Sequence, residues 1–102
     1  MLIQKGYQAG DIVCFKIVNG DEIVAKIVET TDDGFTVTRP CTVIPSPQGL
    51  GLMQSLISAD INNNVTLKNT HVIMHGPVIN DIENHYIRTT TGIQPAKSGI
   101  IT

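Results

Sequence analysis

Two turn signals set close together constrain this chain more than any other feature. Between Lys16 and Pro40 it reads KIVNGDEIVAKIVETTDDGFTVTRP. Asn19-Gly20 suits the positive φ angles of a two-residue hairpin, and Gly20-Asp21 can share that turn. Thr30 to Gly34 is a second turn cluster, rich in the residues that close tight loops. The runs around them alternate. Asp11 to Val18 sets Val13, Phe15 and Ile17 on one face and Cys14 and Lys16 on the other. Glu22 to Glu29 sets Ile23, Ala25 and Ile27 against Val24, Lys26 and Val28, so only one face is mixed and the strand is expected to be covered on both sides for part of its length. Phe35 to Thr38 supplies a third strand. Three strands joined this tightly make an antiparallel meander.

Beyond the meander the signals change. Pro40 removes a ladder donor and marks an edge or a bend, Val43-Ile44 extends the strand, and Pro45 to Gly49 ends it. Leu50 to Ser58 reads as a strand apolar on both faces, with Leu50, Leu52 and Leu56 on one and Met53 and Ile57 on the other. A small domain has difficulty covering both faces of a peripheral strand, which points to a partner subunit on these five residues. Asp60 to Asn64 is a polar loop. Val65 to Met74 holds two short strands around a Lys68-Asn69-Thr70 corner. Pro77 then suits the first turn of a helix, with Asp81 and Glu83 near its positive end, Ile79, Ile82 and Tyr86 at helical spacing, and Gly92 as the stop. The predicted order is five or six short strands, a helix over 77–91 and a tail over 92–102.

At 102 residues the chain is one domain. A formal net charge of -2 leaves no electrostatic footprint for duplex DNA. No run is long enough for a signal peptide or a membrane span, so the expectation is a soluble, cytoplasmic protein with no membrane partner. Cys14 and Cys41, set among apolar or Thr residues, read as buried free thiols.

No catalytic set is visible. His71 and His75 would share a strand face but lie roughly 13 Å apart, too far for one ion, and His85 has no ligand at chelating spacing, so no metal site is expected. Gly49-Leu50-Gly51 lacks the Lys-Ser or Lys-Thr of a phosphate loop. No nucleophile elbow and no cofactor motif occurs. The reading is of a protein that is not an enzyme. Lys68-Asn69 is the most informative polar pair: an ammonium beside an amide that carries both donors and an acceptor. Repeated around a ring, it could hold phosphates and base edges of a single strand; the plainer reading is a polar corner in which Asn69 caps a turn.

A bent meander with this turn order resembles the Sm-like (LSm, Hfq-type) family of small barrels. Gly20, Ile23, Ala25, Ile27 and the Asp32-Asp33 turn follow the outline of its first motif, with Ala25 where a second Gly is usual and no counterpart in TTDDGF of the base-gripping Asn. For the second motif, Met74-His75-Gly76 and Leu67-Lys68-Asn69 are both possible placements, the latter preferred for register. Asp33-Gly34, Pro40-Cys41 and Pro45 to Gly49 are similar to small Sm-like proteins of cyanophage type. The resemblance spans roughly 11–76 and implies a mainly β fold: a five-stranded, strongly bent antiparallel barrel of SH3 type followed by the C-terminal helix. It implies a homomeric ring of about five to seven copies, in which the Leu50 to Ser58 strand meets a neighbour's last strand at Val72 and Met74. It also implies single-stranded RNA contact at Lys68, Asn69, Asp32, Asp33 and His75, as a chaperone or scaffold in a bacterial or phage-infected cell. The alternative is a phage-encoded structural or protein-interaction ring without RNA binding.

Overall fold

The computed structural model describes residues 6–56, 58, 60 and 63–91. In chain order they form β1 (Ile12–Ile17), β2 (Glu22–Thr31), β3 (Gly34–Ser46), β4 (Gly49–Gln54), β5 (Asn64–Lys68), a 3-10 turn over Asn69–His71, β6 (Val72–Pro77) and α1 (Asn80–Thr91). The fold is mainly β with one C-terminal helix. Its antiparallel sheet runs β4-β3-β2-β1-β6, with β5 paired to β3. The described residues form six strands where the resemblance implies a five-stranded barrel, and the sheet does not close. β4 and β6 end the order, and β5 and β6 are not paired with each other among the described residues.

The first hairpin turns through Val18-Asn19, where the Gly20 N–H donates to Ile17 O at 2.8 Å. Gly20 alone takes a positive φ there, 96°, so the expected two-residue turn with both Asn19 and Gly20 at positive φ is not the one formed. Asp32 and Asp33 alone join β2 to β3. In β2, Ile23, Val24 and Ala25 are all buried, so the strand is covered on both faces there, as its pattern predicts. One face gathers Val13 and Phe15 of β1, Ile23, Ala25 and Ile27 of β2, and Phe35 and Val37 of β3. Val65 and Leu67 of β5 and Val72 of β6 pack on the same cluster. β5 lies against β3 and β6 against β1, yet only three residues join them, so the sheet is drawn round toward itself without sealing. Each fully buried Val, Ile or Phe contributes about 1.5–3 kcal/mol.

The opposite face carries Val24 and Cys41, packed against Tyr86 of α1 with Cys14, Val43, Leu52 and Ile82 alongside. The helix therefore covers the second face in part, leaving a groove of about 200 Å³ beside Cys14, Val43 and Ile82. Both thiols are free, but only Cys41 is buried as expected, Cys14 being half-buried; burial raises the pKa of each above the ordinary value.

β3 accomplishes this double duty through a bulge. Val24 pairs with Cys41 and Lys26 with Thr38, so Arg39 and Pro40 together oppose the single residue Ala25. Pro40 has no N–H to give the ladder, and Arg39 adopts φ 53°, a left-handed conformation that costs roughly 1–3 kcal/mol in a non-glycine residue. Before the bulge β3 pairs with β5, from Gly34 to Thr38; after it, with β4, from Cys41 to Ser46. The Tyr86 hydroxyl lies 3.0 Å from Thr38 O and 2.9 Å from Arg39 O, within donating distance of both. The Arg39 guanidinium donates to Thr90 O near the helix C-terminus.

Other expectations are corrected. Pro77 ends β6 instead of opening the helix, which starts at Asn80; Ile79 precedes it and stays exposed. β4 stops at Gln54, leaving Leu56 beyond the strand. Ile57 and the tail over 92–102 lie outside the described residues. No helix among the described residues is long and apolar enough to cross a membrane.

Tyr86→Phe removes a hydroxyl bonded to the bulge carbonyls while keeping the ring's packing, and should lower stability by about 1–2 kcal/mol in urea unfolding. Burial raises the Tyr86 pKa, so the folded state keeps this proton at pH values where the unfolded chain has lost it. That contribution is complete below about pH 10 and lost as pH rises further; the alkaline fall in stability should be smaller in the phenylalanine variant.

Candidate functional site

The two turns that frame the chemistry are bonded to each other. The backbone N–H of Asn69 donates to Asp33 O at 2.8 Å, and its side-chain Nδ2 donates to Asp32 O at 3.2 Å. Gly34, next to the acidic turn, pairs with Lys68 at the end of the β3–β5 ladder. A Cβ at Gly34 would collide with the Leu67 carbonyl oxygen and lie 2.9 Å from Lys68 Cα and 3.0 Å from Asn69 N. Glycine is therefore needed for this approach. Thr31 Oγ1, 3.1 Å from the Gly34 N–H, ties off the turn. At the other end of the 3-10 turn, the Val18 N–H donates to His71 O at 2.9 Å. The corner is thus held from both sides.

The arrangement exposes polar groups selectively. Lys68 is exposed, and its ammonium has no ion-pair partner among the described residues. Asp32 and Asp33 are exposed too, and their contribution to the corner is through backbone carbonyls. Asn69 is oriented by its bond to Asp32, which leaves Oδ1 as a directed acceptor.

Asn69 and His75 border one groove of about 680 Å³, within the size range of small-molecule sites. Three rings line it, those of Tyr7, Phe35 and His75, and Phe15 lies behind Phe35 in the core. Phe15 and Phe35 are buried at a ring separation of 5.0 Å, and the His75 ring stands edge-on to Phe35 at 5.2 Å. Tyr7 completes the cluster at 5.4 Å from His75, its hydroxyl 2.7 Å from His75 Nδ1. Burial raises the Tyr7 pKa, with the nearby Cys14 and Asp11 adding smaller contributions in the same direction. The phenol keeps its proton and can donate or accept in this bond. Of the five residues expected to contact RNA, then, Asn69 and His75 share a groove; Asp32 and Asp33 do not line it and reach it only through carbonyls bonded to Asn69, and Lys68 precedes Asn69 outside it. Tyr7 escapes a reading of the sequence because it precedes the first strand in a segment with no periodicity; an isolated aromatic there is its only trace.

The residues expected at a subunit interface divide. Leu50, Met53 and Leu56, around β4, and Met74 of β6 are all exposed large apolar side chains. Leu52 is half-buried on the helix-covered face, and Val72 packs into the chain's own core, so neither offers a free apolar surface like the others. No three His, Cys, Asp or Glu side chains converge as metal ligands among the described residues.

Gly34→Ala should lower stability by about 2 kcal/mol or more, because the colliding atoms are backbone that cannot rotate away; Gly20→Ala, whose Cβ would meet nothing within 4 Å, serves as the comparison for a positive-φ turn glycine. Equal losses in chemical denaturation would show that close approach at the corner is unimportant. No protein-family model and no curated protein matches the sequence.

Proposed function

We propose that the chain is a self-associating, non-enzymatic module of the Sm-like type that holds single-stranded RNA at the corner between β5 and β6. The observation that carries this reading is the braced corner itself: an exposed Lys68, without an ion-pair partner among the described residues, next to an Asn69 whose amide is oriented beside an aromatic groove. An ammonium outside and an amide at the rim divide the work as a single strand requires, one meeting phosphate and the other a base edge. Because the chain as a whole is mildly acidic, attraction has to be local and repeated through copies.

Self-association is supported by the sheet's two terminal strands. β4 and β6 each have one edge without a neighbouring strand among the described residues, and exposed apolar side chains accompany both, Leu50 and Met53 on one and Met74 on the other. Edges of this kind are satisfied by pairing between chains. Two different edges meeting head to tail give a closed ring when the rotation closes, here of about five to seven copies.

A second reading is a protein-interaction or structural ring without RNA. It is favoured by the two carboxylates flanking the corner and by the commitment of Asn69 Nδ2 to Asp32 O.

Titration of the purified protein with labelled U-rich and A-rich oligonucleotides at two salt concentrations separates the readings. Micromolar binding that weakens with salt is expected, and Lys68→Ala should reduce the slope of log K against log salt by about 0.7 for each phosphate that the ammonium neutralises. Absence of salt-sensitive binding at micromolar protein removes the RNA reading. Light scattering on a sizing column tests assembly: a single multimeric species is expected, with Met53→Lys lowering its mass. A monomeric wild type defeats the ring.

A further inference from the structure

We infer that the groove bordered by Tyr7, His75 and Asn69 receives one unpaired nucleobase, with Tyr7 as the residue it packs against; this rests on the RNA reading above and names the part of the ligand that the groove takes. The aromatic core of the sheet does not stop at its surface here. Phe15 and Phe35 are 1% and 5% exposed, while Tyr7 is half-buried and His75 exposed, so the ring cluster passes continuously from core to solvent. Tyr7 and His75 are fixed against each other. Their hydroxyl-to-imidazole bond of 2.7 Å joins residues 68 positions apart, and each ring also lies near Phe35, at 6.2 Å for Tyr7 and 5.2 Å for His75. Rings held this way lose little freedom when a ligand packs on them.

The lining excludes several other occupants. Among the described residues that line the groove, none brings a carboxylate, an ammonium or a guanidinium; the Tyr7 phenol and the His75 imidazole are the titratable groups there. A phosphate would find no fixed countercharge among them, and a metal ion no set of ligands. A neutral, planar, polar-edged group fits. The rim meets such an edge on two sides. Asn69 Oδ1 is an acceptor, since its Nδ2 is held by Asp32 O. Thr30, whose hydroxyl can donate or accept, also lines the groove. The His75 Nε2, the ring nitrogen not bonded to Tyr7, adds a further polar atom at the edge. Every nucleobase combines a flat apolar face with an edge of donors and acceptors. Lys68, adjacent to Asn69 and outside the groove, is left for the phosphate.

The chain provides its own reporter. It has no Trp and two Tyr, of which Tyr86 is buried between the helix and the sheet. Packing of a base on Tyr7 should quench part of the tyrosine emission. The experiment compares wild type, Tyr7→Phe and Tyr7→Ala, each first shown by circular dichroism to be folded. They are titrated with oligouridylate, with oligoadenylate, with an abasic oligonucleotide of the same length, and with free uridine and adenosine followed by NMR. Tyr7→Ala should weaken oligonucleotide binding about tenfold with an unchanged salt slope. Tyr7→Phe should keep most of the affinity but lose most of the fluorescence response. The abasic strand should bind wild type as weakly as the normal strands bind Tyr7→Ala.

Full affinity in folded Tyr7→Ala, with salt-sensitive binding of the wild type intact, overturns the nucleobase assignment and leaves the RNA reading standing. Nucleosides that shift the Tyr7 and His75 resonances while no oligonucleotide binds would uphold the groove's ligand class and overturn the RNA reading. No response to any of these probes overturns both.

Discussion

The bulge at Arg39–Pro40 is the constraint from which the rest of the architecture follows. A regular strand of 13 residues would present one straight edge to one neighbour. By placing two residues opposite Ala25, β3 changes direction and divides that edge, giving its first half to β5 and its second half to β4. β5 must then lie where its following turn can reach β6 on the far edge of β1. The groove exists because of this geometry. The left-handed Arg39 is unfavourable by itself, and the Tyr86 hydroxyl and the Arg39–Thr90 hydrogen bond hold it in place.

The two faces of the sheet therefore have separate tasks. One encloses the larger apolar cluster and extends it, through Phe35, into the aromatic groove. The other is partly covered by α1, leaving β4 with exposed apolar residues at its margins. The candidate site owes its rigidity to backbone approach more than to side-chain packing: Gly34 lets one turn sit against the other, and Asn69 bonds to both aspartate carbonyls. Arrangements of this kind suit recognition, where the position of a few polar atoms matters more than their number.

Much of the framework can be read from local patterns. The turn-forming clusters around Asn19-Gly20 and Asp32-Asp33-Gly34 mark their hairpins, with the left-handed backbone of the first taken by Gly20, and the apolar run Ile23-Val24-Ala25 announces a strand covered on both sides. The corner at Lys68–Thr70 is visible as a polar break between two short alternating runs. Pro77 misleads, because a residue without an N–H is equally acceptable at a helix start and at the end of a strand. The division of β3 between two partners is a non-local matter, as is the failure of the sheet to close; neither has a signature within a window of a few residues. Helical spacing identifies Tyr86 as a packing residue, but the carbonyls it reaches lie 47 and 48 positions away. Tyr7 has no periodic context at all, so a residue at the solvent end of the aromatic cluster is the least legible part of it.

Chain order gives the helix-covered face a further significance. The strands leave the ribosome before α1 does, so Val24, Cys41 and Val43 can be in register while their cover is still being synthesised. For that interval the nascent sheet carries an unshielded greasy surface and a bulge without its clasp. Biogenesis of this molecule thus has a vulnerable moment that its finished form conceals, and a chaperone that recognises bare β-surface would find its substrate in that moment.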